Sequence, residues 1–151
     1  MVGVGYITWD PIRRQLGNRS WRRWGTDRLV RVVTRVVARY AREHPGAPPI
    51  LIGDLSRRHG GNFGRHFGGL GHVSHQNGLD ADIYYPRRDG LLRRAARPDQ
   101  VDRRAAQQLV DAFVHAGAQY VFVGPSLHLY GPRKVVYALA HHDDHLHVRI
   151  R

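Results

Sequence analysis

The sequence predicts an α+β domain in which a small antiparallel sheet is flanked by helices. Two stretches carry apolar residues at helical spacing, one around Val33 and one around Leu109. Several short runs are apolar or alternate at period two, near Ile50, Leu79, Gln119 and His145. These follow one another irregularly, with no repeated strand–helix–strand unit, which argues against a doubly wound parallel sheet.

Along the chain, the stretch through Trp24 is rich in arginine and tryptophan (Arg13, Arg14, Trp21, Arg22, Arg23, Trp24) and has no clear periodicity. It reads as an N-terminal segment, residues 1–25, preceding a core of residues 26–151 in one domain. Thr26 is placed to cap a helix to about Arg42, with Leu29, Val30, Val33, Val36, Val37 and Tyr40 as its apolar stripe. His44-Pro45-Gly46 stops that helix, and Ile50-Leu51-Ile52 follows as a short buried strand. His59 to Gly71 is too glycine-dense for a packed element and reads as a functional loop. Leu79 to Tyr85 is the next strand. Asp99 is placed to cap a second helix to about Ala116, burying Val101, Ala105, Leu109 and Phe113, with Gly117 closing it. Strands are expected at Gln119–Val123, around Val135-Val136-Tyr137, and from His145 to Ile150.

Composition narrows the function. At 151 residues, 42% hydrophobic and 24% charged, the chain can bury a core without disulfides, and it has no cysteine. Thiolate metal sites and a cysteine nucleophile are thereby excluded, so a metal would be held by imidazole and carboxylate. No apolar run is long enough to cross a bilayer, and Met1 to Asp10 has no export-signal pattern. The net charge of +12 favours anionic partners: nucleic acid, anionic wall polymers, or the carboxylates of peptidoglycan. No helix-turn-helix, zinc-finger or aromatic-interleaved RNA pattern is present, so nucleic acid is not the expected partner.

Eleven histidines are concentrated in two places. His72 and His75 stand at the exit of the glycine loop, just before Asp80 and Asp82. His141, His142, His145 and His147 crowd the C-terminus with Asp143 and Asp144. Side chains alternate along a strand, so Asp80 and Asp82 share one face, and His145, His147 and Arg149 share one face of the last strand. Each strand then has an apolar side and a side of metal-binding groups. Each motif alone also reads as a solvated polar face; the two together, if neighbouring, supply two imidazoles and a carboxylate around one ion with a position left for water. Asp80 reads either as a partner that orients a ligand imidazole or as a solvated carboxylate. Arg149 reads either as a site for a substrate carboxylate or as surface charge. Tyr84, Tyr85 and Tyr137 read as core or cleft-wall aromatics.

The run Gly71-His72-Val73-Ser74-His75-Gln76-Asn77-Gly78-Leu79-Asp80-Ala81-Asp82-Ile83 resembles the Ser-His-x-x-Gly-x-x-x-Asp signature of the zinc peptidases that include D-Ala-D-Ala peptidases and share the hedgehog fold. Its Ser-His-Gln-x-Gly-Leu-Asp-x-Asp form is similar to the penicillin-insensitive murein endopeptidases, as are Gly53-Asp54-Leu55-Ser56 and the ending His142-Asp143-Asp144-His145-Leu146-His147-Val148-Arg149. The resemblance spans roughly Ile50 to Arg151. It implies a hedgehog/DD-peptidase-like fold and one zinc ion on His75, Asp82 and His147. It also implies His145 beside the reacting water, His142 in place of a glutamate base, and His72 as a further histidine near the metal. The resembled family carries a further histidine near a second metal position, and Leu92 stands there in this chain, so one ion is expected.

The function implied is hydrolysis of D-alanyl cross-links in peptidoglycan by a monomer acting outside the cytoplasm, in wall remodelling or as a phage lysin. The rivals are a D,D-carboxypeptidase, an L-alanyl-D-glutamate lysin, and a non-catalytic zinc-binding module.

Overall fold

The computed structural model describes residues 2–65 and 74–151. Its strands are β1 (Val2–Gly3), β2 (Tyr6–Asp10), β3 (Gln15–Leu16), β4 (Ile50–Ile52), β5 (Asp80–Tyr84), β6 (Tyr120–Val123), β7 (Val136–Ala138) and β8 (His145–Arg149). Two α-helices, α1 (Asp27–Glu43) and α2 (Arg103–His115), complete the frame. The sheet runs β1-β2-β4-β5-β8-β6-β7, and β3 pairs with β2 off that path.

Both helices and the mixed α/β class agree with the sequence reading, but the sheet is neither small nor wholly antiparallel. β2–β4 and β6–β7 are parallel pairs. The enlargement comes largely from the N-terminal stretch. Tyr6 to Asp10 forms β2 and lies along β4, so this segment contributes strands to the sheet. Two of its arginines and tryptophans are built into the interior: Trp9 is buried, and Arg22 is fully buried against Asp54 with a bidentate ion pair, whereas Arg13, Arg14 and Trp24 are exposed. Asn18 Nδ2 adds bonds to Gly53 O and Asp54 Oδ1, at 3.0 and 2.9 Å. A pattern search misses such a segment because its strands are short and its buried cation is legible only through a partner 32 residues away.

Thr26 caps α1 by accepting from Leu29 N at 3.2 Å, and Leu29, Val33, Val36, Val37 and Tyr40 face the core. Each such side chain contributes about 1.5–3 kcal/mol on burial. Val30, expected in that stripe, is exposed: at about 100° per residue it falls just outside the buried arc, about 20° beyond Val37. The second helix begins later than expected. Pro98–Gln100 forms a 3-10 turn, and Asp102, not Asp99, caps α2 by accepting from Ala105 N. Pro98 fixes the turn that delays the helix. Ala105, Leu109 and Phe113 are buried as predicted, together with Ala106 and Val110.

Ala81, Ile83, Leu146 and Val148 pack with both helices in the main core. Strand alternation therefore sends Asp80, Asp82, His145, His147 and Arg149 to the opposite face of the sheet. A smaller cluster of Trp9, Leu51 and Tyr84, with Ile7 and Leu92 against it, lies on that second face. Of the three tyrosines noted, Tyr84 and Tyr85 are buried and Tyr137 is exposed.

Candidate metal centre

The antiparallel pairing of β5 with β8 does what strand alternation alone could not: it sets Asp82 opposite His147, Asp80 opposite Arg149 and Tyr84 opposite His145. His75 arrives from the turn before β5. That turn is shaped by Gly78, at φ 74°, whose carbonyl accepts from Thr26 N at 2.9 Å. A Cβ at Gly78 would lie 3.0 Å from Thr26 N, so a larger residue would push the turn off the start of α1.

His75, Asp82 and His147 are buried and bring three ligand atoms together. His75 Nε2 lies 3.2 Å from Asp82 Oδ1 and 3.2 Å from His147 Nδ1, and His147 Nδ1 lies 3.1 Å from Asp82 Oδ1. Ligand bonds of about 2.0–2.1 Å in tetrahedral array would give edges of about 3.3–3.4 Å. The triangle is thus within a few tenths of an ångström of the size a zinc-like cation requires. The outer nitrogens are already used. His75 Nδ1–H donates to Leu55 O at 2.6 Å, and His147 Nε2–H donates to Asp80 Oδ1 at 2.9 Å. Each bond turns the inner nitrogen toward the common point, where it offers a lone pair once the imidazole is neutral. Asp80 Oδ2 in turn accepts from Arg149 Nη1 at 2.7 Å.

Electrostatics follow from this crowding. Burial pushes the Asp82 carboxyl up, but the neighbouring His75 and His145 and the bonds from both ligand imidazoles outweigh it and hold it well below the ordinary range. Burial pulls His147 down, yet Asp80 and Asp82 outweigh that and raise it to about 9.

Two further histidines stand over the triangle. The His142 ring lies 4.8 Å from that of His145 and 6.1 Å from that of His147. His142 Nδ1–H donates to Ala140 O at 2.8 Å, leaving Nε2 as an acceptor, and burial lowers its pKa below the ordinary 6.5. His145 Nδ1–H donates to Asp144 Oδ1 at 2.6 Å, and its Nε2 lies 3.7 Å from Asp82. Burial opposes the charge of His145, but Asp82 and Asp144 outweigh it and the net shift is upward. Asp144 is gripped in turn by Arg94 Nη1 at 2.8 Å. Asp143 fixes the same loop by accepting from Ser126 N and Oγ at 3.0 and 2.9 Å.

Of the residues expected at a site, the structure brings together His75, Asp82, His147, Asp80, Arg149, His142 and His145; His72 lies outside the described residues. The sequence reading missed Asp144, Arg94 and the Leu55 carbonyl. Asp144 had a signal, its place beside His145, whereas Arg94 is one arginine among many and the carbonyl carries no residue-type signal.

Clefts open at both ends of the β5–β8 ladder. One, of about 280 Å³, is lined by Trp24, Thr26, Arg57, Arg58, His59 and Gln76–Gly78, next to the start of β5. The other, of about 330 Å³, is lined by Arg94–Pro98, His141, Asp143 and Asp144, next to the start of β8. Antiparallel pairing puts those starts at opposite ends, with the Asp82–His147 pair between them.

A mixed sheet presenting two histidines and an aspartate at one point is a scaffold able to hold a divalent ion. The family described as penicillin-insensitive murein endopeptidase matches residues 7–122, well over half of the chain, and the protein belongs to that family. It is therefore a peptidase, with murein endopeptidase activity and a peptidoglycan substrate implied by membership. The matched span begins in β2, earlier than the motifs alone would place it, and includes His75 and Asp82. A search of curated proteins finds no match. The family implies action outside the cytoplasm, and no helix among the described residues is long and apolar enough to cross a membrane.

Proposed function

We propose that the chain is a zinc metallopeptidase of one domain, acting as a monomer, that hydrolyses D-alanyl cross-links between peptidoglycan stems. The observation that carries this reading is the triangle of His75 Nε2, Asp82 Oδ1 and His147 Nδ1, with both imidazoles pre-aimed by bonds to Leu55 and Asp80. Bound there, zinc supplies Lewis acidity that activates water and polarises a carbonyl. Nitrogen and carboxylate donors without thiolate suit it.

His142 is the general base: its free Nε2 and lowered pKa keep it an unprotonated acceptor near neutrality. His145, held by Asp144 and raised in pKa, donates a hydrogen bond to the oxyanion that develops on the carbonyl. His142 then returns its proton to the leaving amine. Arg149 acts through Asp80, which orients His147, rather than on a substrate carboxylate. The family match favours an endopeptidase over a carboxypeptidase. Two further histidines beside the ligands favour an enzyme over a structural zinc module.

His142→Ala is expected to keep about one metal per chain and lose about 10²–10⁴ of kcat, the usual worth of general-base help. Metal analysis alongside a digest of purified peptidoglycan checks it. In the wild-type digest, cross-linked dimers disappear without release of single D-Ala; released D-Ala alone would refute the endopeptidase reading, and undiminished turnover by the variant would remove His142 from the chemistry. Activity should rise with pH through a limb below 6.5 as His142 loses its proton, and fall through a second limb above 6.5 as His145 does.

Metal uptake should release protons. With His147 raised to about 9, the free site carries its proton at pH 7.5, and that proton must leave for Nδ1 to serve as a ligand. Calorimetric zinc titrations in buffers of different ionisation enthalpy should report about one proton released at pH 7.5, declining above pH 9. Zero release at pH 7.5 would contradict the assignment of His147.

A further inference from the structure

Helix α1 has a second face that the peptidase site does not use. Arg28, Arg31, Arg35, Arg39 and Arg42 are all exposed. At about 100° and 1.5 Å per residue they fall within an arc of about 80° and extend over about 21 Å of helix axis. The buried stripe of Leu29, Val33, Val36, Val37 and Tyr40 lies on the other side. Among the described residues, Arg28, Arg31, Arg35 and Arg42 make no ion pair, and Arg39 is paired with Glu43 at the helix end. The only acids of the helix, Asp27 and Glu43, sit at its two ends.

Like charges three and four residues apart repel and weaken a helix, and solvated faces ordinarily mix the two signs. A row of one sign is stabilised when an anion lies along it. Its placement separates it from catalysis, because α1 covers the face of the sheet opposite Asp82 and His147.

We propose that the outer face of α1 docks a linear polyol-phosphate polymer of the bacterial wall, holding the peptidase on its substrate with the metal centre turned away from the tether. The choice of a wall polymer rests on the peptidoglycan reading above. Guanidinium is permanently charged and binds phosphate bidentately. A straight row with a cation about every 5 Å suits a chain with one phosphodiester per short repeat. Nucleic acid fits less well: the row has no aromatic side chain to stack a base and no Asn or Gln to read a base edge. A bilayer fits less well too, because the neighbouring outward positions are Thr34 and Ala38 and exposed Val30 lies off the row.

The test is co-sedimentation of the full chain with peptidoglycan that retains its polyol-phosphate polymer, and with the same material stripped by hydrofluoric acid. The comparison protein is Arg28→Gln/Arg31→Gln/Arg35→Gln/Arg42→Gln, in which glutamine keeps the helix propensity. If that variant loses its far-UV helix signal, Arg31→Gln/Arg35→Gln replaces it. The wild type is expected to bind the polymer-bearing wall with a log–log salt slope of about four. The quadruple variant should bind at least tenfold more weakly, and stripping should weaken the wild type equally. Both proteins should turn over a soluble cross-linked muropeptide at the same rate. Equal retention of the variant, undiminished retention on stripped wall, or tighter retention on duplex DNA would each overturn the proposal. Loss of turnover in both proteins with retention intact would overturn the endopeptidase reading while supporting the docking surface.

Discussion

Asp82→Ala is expected to drop metal content from about one ion per chain to a trace and to lower peptidoglycan turnover by about 10³-fold or more, the scale of losing Lewis-acid activation. The size of the effect comes from the place of this carboxylate. Its Oδ1 is the shared partner of His75 Nε2 and His147 Nδ1, and it is the anion that offsets the positive character of the imidazoles around it. Without it, two buried imidazoles remain 3.2 Å apart, which leaves too few donors for a tetrahedral site. Metal analysis and single-turnover kinetics on the same preparation provide the check. Asp82→Ala that retains stoichiometric metal and near-wild-type turnover would end the assignment. Asp80→Ala offers a graded comparison: losing the bond to His147 Nε2 is expected to weaken metal affinity about 10–100-fold while leaving all three donors present.

Asp54→Ala is expected to be the most destabilising single change outside the metal ligands, by about 3–5 kcal/mol. It removes the carboxylate that offsets the charge of the Arg22 guanidinium, which is fully buried and donates from Nε to Asp54 Oδ1 at 2.7 Å. It also removes one of the two acceptors of Asn18 Nδ2. For a chain of this size the midpoint of thermal unfolding should fall by about 10 °C or more. Replacing both partners with apolar residues, Arg22→Met with Asp54→Leu, should recover much of the loss, because no unpaired charge remains buried. A double variant as unstable as Asp54→Ala would contradict this account. The effect should reach the metal centre too: Asp82 N donates to Asp54 O at 2.9 Å and Gly53 N donates to Asp82 O at 2.8 Å, so loosening Asp54 frees the backbone that presents the carboxylate.

Several parts of the molecule are legible in residue order because the physics behind them is local. Thr26 before an apolar stripe specifies the start of α1, and alternation alone assigns Asp80, Asp82, His145 and His147 to sides of their strands. The same logic fails where a competing local signal wins, as at Asp99, where Pro98 makes a 3-10 turn and leaves the cap to Asp102. It also fails for the N-terminal stretch, whose parallel pairing with β4 spans more than forty residues and leaves no period to detect.

By itself, then, the order of residues determined that any metal must sit on imidazole and carboxylate, which side chains could supply it, and where both helices lie. Only the tertiary structure decided that Asp82 and His147 face each other, that Leu55 and Asp80 fix which imidazole nitrogens turn toward Asp82, and that Arg94 and Asp144 stand behind His145. The reason is range. Periodicity and capping act over a turn or two of chain, whereas a donor triangle with edges near 3 Å depends on strand register and on bonds between residues as much as 72 positions apart, and these exist only once the sheet has closed.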